Sequence, residues 1–351
     1  MTERNPYVIS FGKMPKQYID RTILLDELTE TLNADPIENS AFILTGIRGS
    51  GKTVTLTDLE KRMRAEDDWI IIGLKSNGEI VNDLLAELYS CAPFLTEFID
   101  AELNLSGFGI GIKASGKPSI ASADHALRVI LKHLQKKKKR VLITIDEARK
   151  TEQMLTFIQS LQILIREDLP IFLVAAGLYE DIESLEDSEG LTFLTRAEKY
   201  EMKPLNLTLI SKNYQNVLGV SRETAEAMAA LTKGYAFAYQ ALGKYMWEKK
   251  EKEITEEVLA LFDEVLADKV YDKIWEELTP KDRWYLGYIA TKETISAAEL
   301  LELTKTKHNE WSVPRKRLKE KGIINTEIKG KVSLKLPRFE HYVLTRAEEE
   351  R

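Results

Sequence analysis

One eight-residue stretch, Gly46-Ile47-Arg48-Gly49-Ser50-Gly51-Lys52-Thr53, constrains the fold of this chain more than any other. It satisfies G-x-x-x-x-G-K-[ST] at every defined position and directly follows the apolar run Ala41-Phe42-Ile43-Leu44-Thr45. A short apolar run closed by glycine reads as a buried strand, and residues 52–65 carry helical spacing. In such a strand–loop–helix unit the glycines let backbone N–H groups converge on phosphate oxygens. The positive end of the helix adds to the attraction. Lys52 is expected at the terminal phosphates and the Thr53 hydroxyl on Mg2+.

The remaining strands repeat this pattern. "WIIIGLK" (69–75), "RVLITID" (140–146), "LPIFLVAAG" (169–177) and "EKYEMKPL" (198–205) are apolar runs separated by helical segments. That alternation predicts an α/β fold, a parallel sheet covered on both faces with its chemistry at the carboxyl ends of the strands. The third run ends in Asp146-Glu147 at that edge. Asp146 is expected to hold the Mg2+ through water, and Glu147 to polarise an attacking water. An Asp-Glu pair favours ATP hydrolysis over nucleotide-kinase or GTPase chemistry. Arg196, just before the last strand, could reach a neighbouring subunit's γ-phosphate as a finger or form an ion pair with Glu198 or Glu201. Arg48, within the loop, reads as a solvent-facing or interface residue.

Composition excludes several alternatives. The single cysteine, Cys91, leaves no internal disulfide framework and no cysteine-built zinc site, which suits a reducing cytoplasm. The four histidines (125, 133, 308, 341) lack ligand spacing. The charged start "MTERNPYVIS" has no apolar core of signal-peptide length, and no run approaches the roughly 18 apolar residues of a membrane span. The expectation is a soluble cytoplasmic protein without a membrane partner. The segment "NLSGFGIGIKASGKPSIAS" (104–122), rich in Gly and Ser, predicts a mobile hairpin or loop.

After residue 206 the pattern becomes wholly helical to about 274, then gives three short helices and an alternating stretch with a Lys-Gly turn at 329–330. Three domains are expected: a P-loop core over 1–205, a helical lid over 206–274 and a winged helix-turn-helix over 275–351. Charge is concentrated in the last. Between Lys305 and Arg338 eleven basic residues face three acidic ones, a net of +8 in a chain whose formal charge is −6. Arg315, Lys316, Arg317, Lys319 and Lys321 crowd the helix that would enter a major groove, pointing to double-stranded DNA as partner. A protein partner for the same module is the alternative. Pro314 should lie near that helix's first turn or kink it.

With these pieces the chain resembles the P-loop ATPases of the AAA+ and STAND group, and most nearly the archaeal and bacterial ATPases related to origin-recognition initiators. "GIRGSGKT" and "LITIDEA" are similar to their two Walker motifs, and "YIDR" (18–21) to the element that frames adenine. "FLTRAEKYEMKPL" looks like the stretch joining an arginine-bearing segment to the lid, and "KGYAFAYQALG" like the turn that opens a lid helix. The resemblance implies an ATPase that forms nucleotide-dependent homo-oligomers. Two departures imply slow turnover. Ala175-Ala176-Gly177 offers no polar sensor side chain, and Ala236 stands where a proline is frequent, with no sensor arginine after it.

Overall fold

The computed structural model describes residues 4–10, 14–103, 105–110, 122–188, 191 and 193–349. The chain divides into two compact units, one of Thr22–Thr45 with Lys52–Glu201, the other of Met1–Arg21, Gly46–Gly51 and Met202–Arg351.

The first unit is a five-stranded parallel sheet, β1 (Ala41–Thr45), β2 (Trp69–Lys75), β3 (Arg140–Asp146), β4 (Ile171–Gly177) and β5 (Glu198–Glu201), in the order β2-β3-β4-β1-β5. β1 and β4 are buried along their whole length, as strands covered on both faces must be. β4 begins one residue after Pro170, whose ring nitrogen cannot donate to a ladder; its carbonyl still accepts from Val141 N–H at 2.8 Å. β5 ends at Glu201, short of the run to 205 read from the sequence.

Among the described residues seven α-helices accompany the sheet: α1 (Thr22–Asn33), α2 (Lys52–Met63), α3 (Ile80–Cys91), α4 (Pro93–Glu102), α5 (Ala123–Lys136), α6 (Glu152–Arg166) and α7 (Tyr179–Glu186). The helical pattern over 79–102 breaks at Ala92, the residue before Pro93, where the α conformation is disfavoured. α5 and α6 start on the hydroxyls of Ser122 and Thr151, which accept the backbone N–H three residues on. Lys136 ends α5, placing the run Lys136-Lys137-Lys138-Lys139 at the negative end of its dipole. The expectation for 104–122 falls mostly on residues 104 and 111–121, outside the described residues; Ser106–Phe108 form a single 3-10 turn.

In the second unit α8 (Leu207–Leu218), α9 (Arg222–Thr232), α10 (Ala236–Lys249), α11 (Glu256–Leu266) and α12 (Asp272–Glu276) precede α13 (Pro280–Ile289), β6 (Ile295–Ser296), α14 (Ala297–Thr304), α15 (His308–Glu320), β7 (Ile324–Asn325), β8 (Lys331–Leu334) and α16 (Phe339–Glu349). The three strands form an antiparallel sheet in the order β6-β8-β7. After α13 comes the strand β6, and after α14 and α15 the hairpin β7–β8. Gly330, at φ +76°, turns the hairpin. One apolar core runs through both the helices of 206–274 and those after 275, from Tyr214 and Tyr239 to Trp311 and Phe339. Pro314 is buried in the second turn of α15, and the helix runs on to Glu320. The sequence reading contained neither β6, which is only two residues long, nor α16.

Candidate phosphate and metal site

The loop Gly46–Gly51 leaves β1 and runs into α2. Within it Ser50 N–H donates to the Ile47 carbonyl at 3.2 Å, closing a four-residue turn. The third residue of that turn, Gly49, has φ +74°, and Gly51 has φ +96°, values that side-chain-bearing residues adopt only at a cost. Gly46 is required for a different reason. A Cβ there would lie 2.7 Å from Ser50 Oγ and 2.8 Å from Met202 Cβ. Ser50 Oγ is itself buried with no hydrogen-bond partner. A tightly wound loop rich in turned peptides, with an orphaned hydroxyl inside it, is chemically suited to an anion. Arg48 is half-buried and paired with Glu277 at 3.5 Å.

A second group of polar side chains lies in the sheet unit. Thr53 opens α2 and Asp146 ends β3, and the Thr53 hydroxyl donates to Asp146 Oδ2 at 2.6 Å. The other carboxylate oxygen, Oδ1, accepts the Glu147 backbone N–H at 2.9 Å. Glu147 is exposed and sits at φ +53°, a left-handed conformation that costs an ordinary residue roughly 1–2 kcal/mol. The backbone on either side of it is fixed, by that bond and by Ala148 N–H on the Ala176 carbonyl at 2.8 Å. Strain of this kind persists only where the surrounding structure fixes the backbone. Two hard oxygen donors suit Mg2+, which keeps most of its shell for water and phosphate. The described residues contain no cluster of three or more His, Cys, Asp or Glu able to hold a metal alone.

Gly177, the last residue of β4, has little room for a side chain. A Cβ on Gly177 would lie 2.7 Å from the Ala148 carbonyl and 2.8 Å from the Ile182 side chain. Arg196 is exposed on the 3-10 turn Leu194–Arg196 immediately before β5. Its two candidate partners are engaged by tyrosines. Glu198 accepts the Tyr200 hydroxyl at 2.9 Å, and burial, together with a hydrogen bond to Glu201, holds the Tyr179 phenol above its ordinary pKa.

On α15 the basic residues divide into two kinds. Arg315, Lys316 and Lys319 are exposed; Lys316 pairs with Glu320 at 3.4 Å, and Lys321 is half-buried just past the helix end. Arg317 is different. Its Nε and Nη2 donate to the two carboxylate oxygens of Asp282 at 2.7 and 2.6 Å, and Nη2 reaches the Thr279 hydroxyl at 3.0 Å. Asp282 is 0% exposed, so this guanidinium is committed to the interior of the module. Between the outward cations Val313 is 63% exposed, and Ile328 at the hairpin tip 61%.

Among solved structures, that of the Aeropyrum pernix ORC2 protein in ADPNP and ADP complexes matches 98% of this chain with 98% of its own, at TM-score 0.57 and 14% identity. The fold is that of an origin-recognition-type AAA+ ATPase. At that identity the likeness is one of fold. Cdc6p from Pyrobaculum aerophilum aligns over 98% of each chain at TM-score 0.48 and 16% identity. No curated protein matches the sequence. Residues 268–343 match the family model described as "Domain of unknown function (DUF8462)". The loop Gly46–Gly51 follows β1 and precedes α2, and Asp146 ends β3. No helix among the described residues is long and apolar enough to cross a membrane.

The sequence reading missed Arg21 and Tyr235 as parts of the loop's surroundings. Arg21 Nη2 donates to the Ser50 carbonyl at 2.9 Å, Nη1 to the Lys203 carbonyl, and the Tyr235 hydroxyl to the Arg48 carbonyl. Both residues lie in the segments "YIDR" and "KGYAFAYQALG", but nothing in their spacing signals a bond to a backbone carbonyl.

Proposed function

We propose that this chain is an ATP-binding, Mg2+-dependent AAA+ ATPase that assembles on duplex DNA through its C-terminal basic module. The observation that carries the nucleotide reading is the 2.6 Å bond between Thr53 and Asp146. It joins the residue after the P-loop lysine to the acid at the end of β3. Lys52 and the loop N–H groups would bind the phosphates, Thr53 would ligate Mg2+, and Asp146 would hold it through water. The bound Mg2+ would neutralise charge developing on the transferred phosphoryl group. Glu147 is the base for the attacking water. Arg196, exposed and unshielded before β5, is proposed to serve a neighbouring subunit's site. The closed sensor position at Gly177 supports slow turnover.

The DNA reading rests on the +8 stretch and on the outward cations Arg315, Lys316 and Lys319, with Lys321 at the end of the helix. Arg317 has no part in it. A second reading, a nucleotide-gated switch that holds a protein partner, is favoured by the exposed Val313 and Ile328 among those cations. Full-length protein carrying Arg315→Glu and Lys319→Glu separates the two in a mobility-shift titration with duplex DNA, with and without ATP. If the wild-type module neutralises ~4 phosphates, log K should fall with log salt at a slope of about −3.6 per subunit. The variant should lose most of that slope. Equal duplex affinity and slope for both proteins would transfer the module to the protein-partner reading.

A further inference from the structure

Three successive carbonyls of the glycine loop accept hydrogen bonds from outside it. Arg48 C=O accepts from the Tyr235 hydroxyl, Gly49 C=O from Phe237 N–H at 3.1 Å, and Ser50 C=O from Arg21 Nη2 at 2.9 Å. The carbonyl before them, on Ile47, is taken by the turn bond from Ser50 N–H. In a planar trans peptide the C=O of one residue and the N–H of the next point in opposite directions. A donor that fixes the Arg48 carbonyl therefore also fixes the direction of Gly49 N–H.

Two of the three donors come from one place, the entry to α10. Tyr235 is its N-cap and Phe237 lies in its first turn. The contact is tight: a Cβ on Gly49 would meet the Tyr235 hydroxyl, with the ring carbon Cζ at 3.0 Å and Phe237 Cβ at 3.1 Å. Phe237 makes its bond through the backbone, so any residue but proline could supply it. Of these two, only Tyr235 makes its bond with a side chain. Its phenol is buried, which raises its pKa far above the ordinary value, so it is a permanent donor near neutral pH.

We propose that Tyr235 is a positioning residue of the phosphate loop, its hydroxyl holding the Arg48–Gly49 peptide with the N–H aimed for a phosphate before nucleotide arrives. The inference rests on the nucleotide reading above. It assigns to the entry of α10 a role that a sensor arginine would fill by touching the nucleotide itself. Here the helix acts through the loop's backbone, and the residue that does so touches no phosphate. A loop held in this way loses less freedom on binding, so its order contributes to affinity.

Tyr235→Phe removes one oxygen and keeps the ring that packs against Gly49. Full-length wild type and variant are titrated with ADP and with inorganic pyrophosphate by calorimetry. Amide hydrogen exchange is followed over peptides spanning 46–53 in the unliganded proteins. The expected result is an affinity lower by about tenfold for both ligands, the equivalent of one hydrogen bond. Faster exchange confined to the loop should accompany it. A structural role alone would lower the melting temperature and leave affinity unchanged. Wild-type binding matched by Tyr235→Phe, with unaltered loop exchange, overturns the positioning role and leaves the nucleotide reading standing. Wild type that binds neither ligand overturns both.

Discussion

Removing the Arg317 guanidinium separates a stabilising role from a DNA-contacting one. Arg317→Met keeps the apolar stem and deletes the charge, leaving the Asp282 carboxylate, among the described residues, with the Thr279 hydroxyl and N–H, at 2.7 and 3.1 Å. Asp282 is 0% exposed, so its carboxylate loses two charge-assisted bonds where water has poor access. Breaking one side of a buried pair costs about 3–5 kcal/mol. The Arg317 side chain is itself 35% exposed, so water can enter the space it leaves. The low end, about 3 kcal/mol, is therefore expected. For a unit of this size that is a fall in Tm of roughly 6–12 °C, measured by calorimetry on the full-length protein. Arg315→Met on the outward side of the same helix should stay within about 0.5 kcal/mol of wild type. A double variant, Arg317→Met with Asp282→Leu, should recover part of the loss, since an apolar replacement of both partners leaves no buried charge. A Tm for Arg317→Met indistinguishable from that of Arg315→Met would refute the reasoning and return Arg317 to the surface.

Three further outcomes are expected. Lys52→Ala should weaken ATP binding by about 10- to 100-fold in calorimetry, the equivalent of one lost charge-assisted contact; unchanged affinity would remove the loop from the site. Glu147→Gln should bind ATP normally and release phosphate about 100-fold or more slowly, because an amide cannot take the proton from water. Equal release rates would exclude Glu147 as the base. Mixing Arg196→Ala with Lys52→Ala subunits should restore part of the hydrolysis, one supplying the site and the other the finger. Absence of rescue in mixtures shown by light scattering to co-assemble would confine Arg196 to its own subunit.

The order of elements and the loop itself were legible in the sequence because they are local. A buried strand, a glycine loop and a helix announce themselves within 25 residues, and the acids at 146–147 follow an apolar run that can only be a covered strand. The hairpin turn at Gly330 was legible for the same reason. Short elements were not: β6 has two residues, too few to show a period, and α16 has a weakly patterned face. Arg317 shows the limit most plainly. In sequence it is one of five cations on a helix, and only folding brings it to Asp282, 35 residues away. The end of β4 follows the same division. The sequence shows Ala-Ala-Gly, and only packing shows that the Ala148 carbonyl and Ile182 crowd any side chain at Gly177. The sequence alone thus determined which residues could meet a phosphate and a metal, since backbone freedom and ligand chemistry are properties of residue type. Tertiary structure decided which charges stay available and which donors hold the loop, because a hydrogen bond to a carbonyl depends on placement within a few tenths of an ångström.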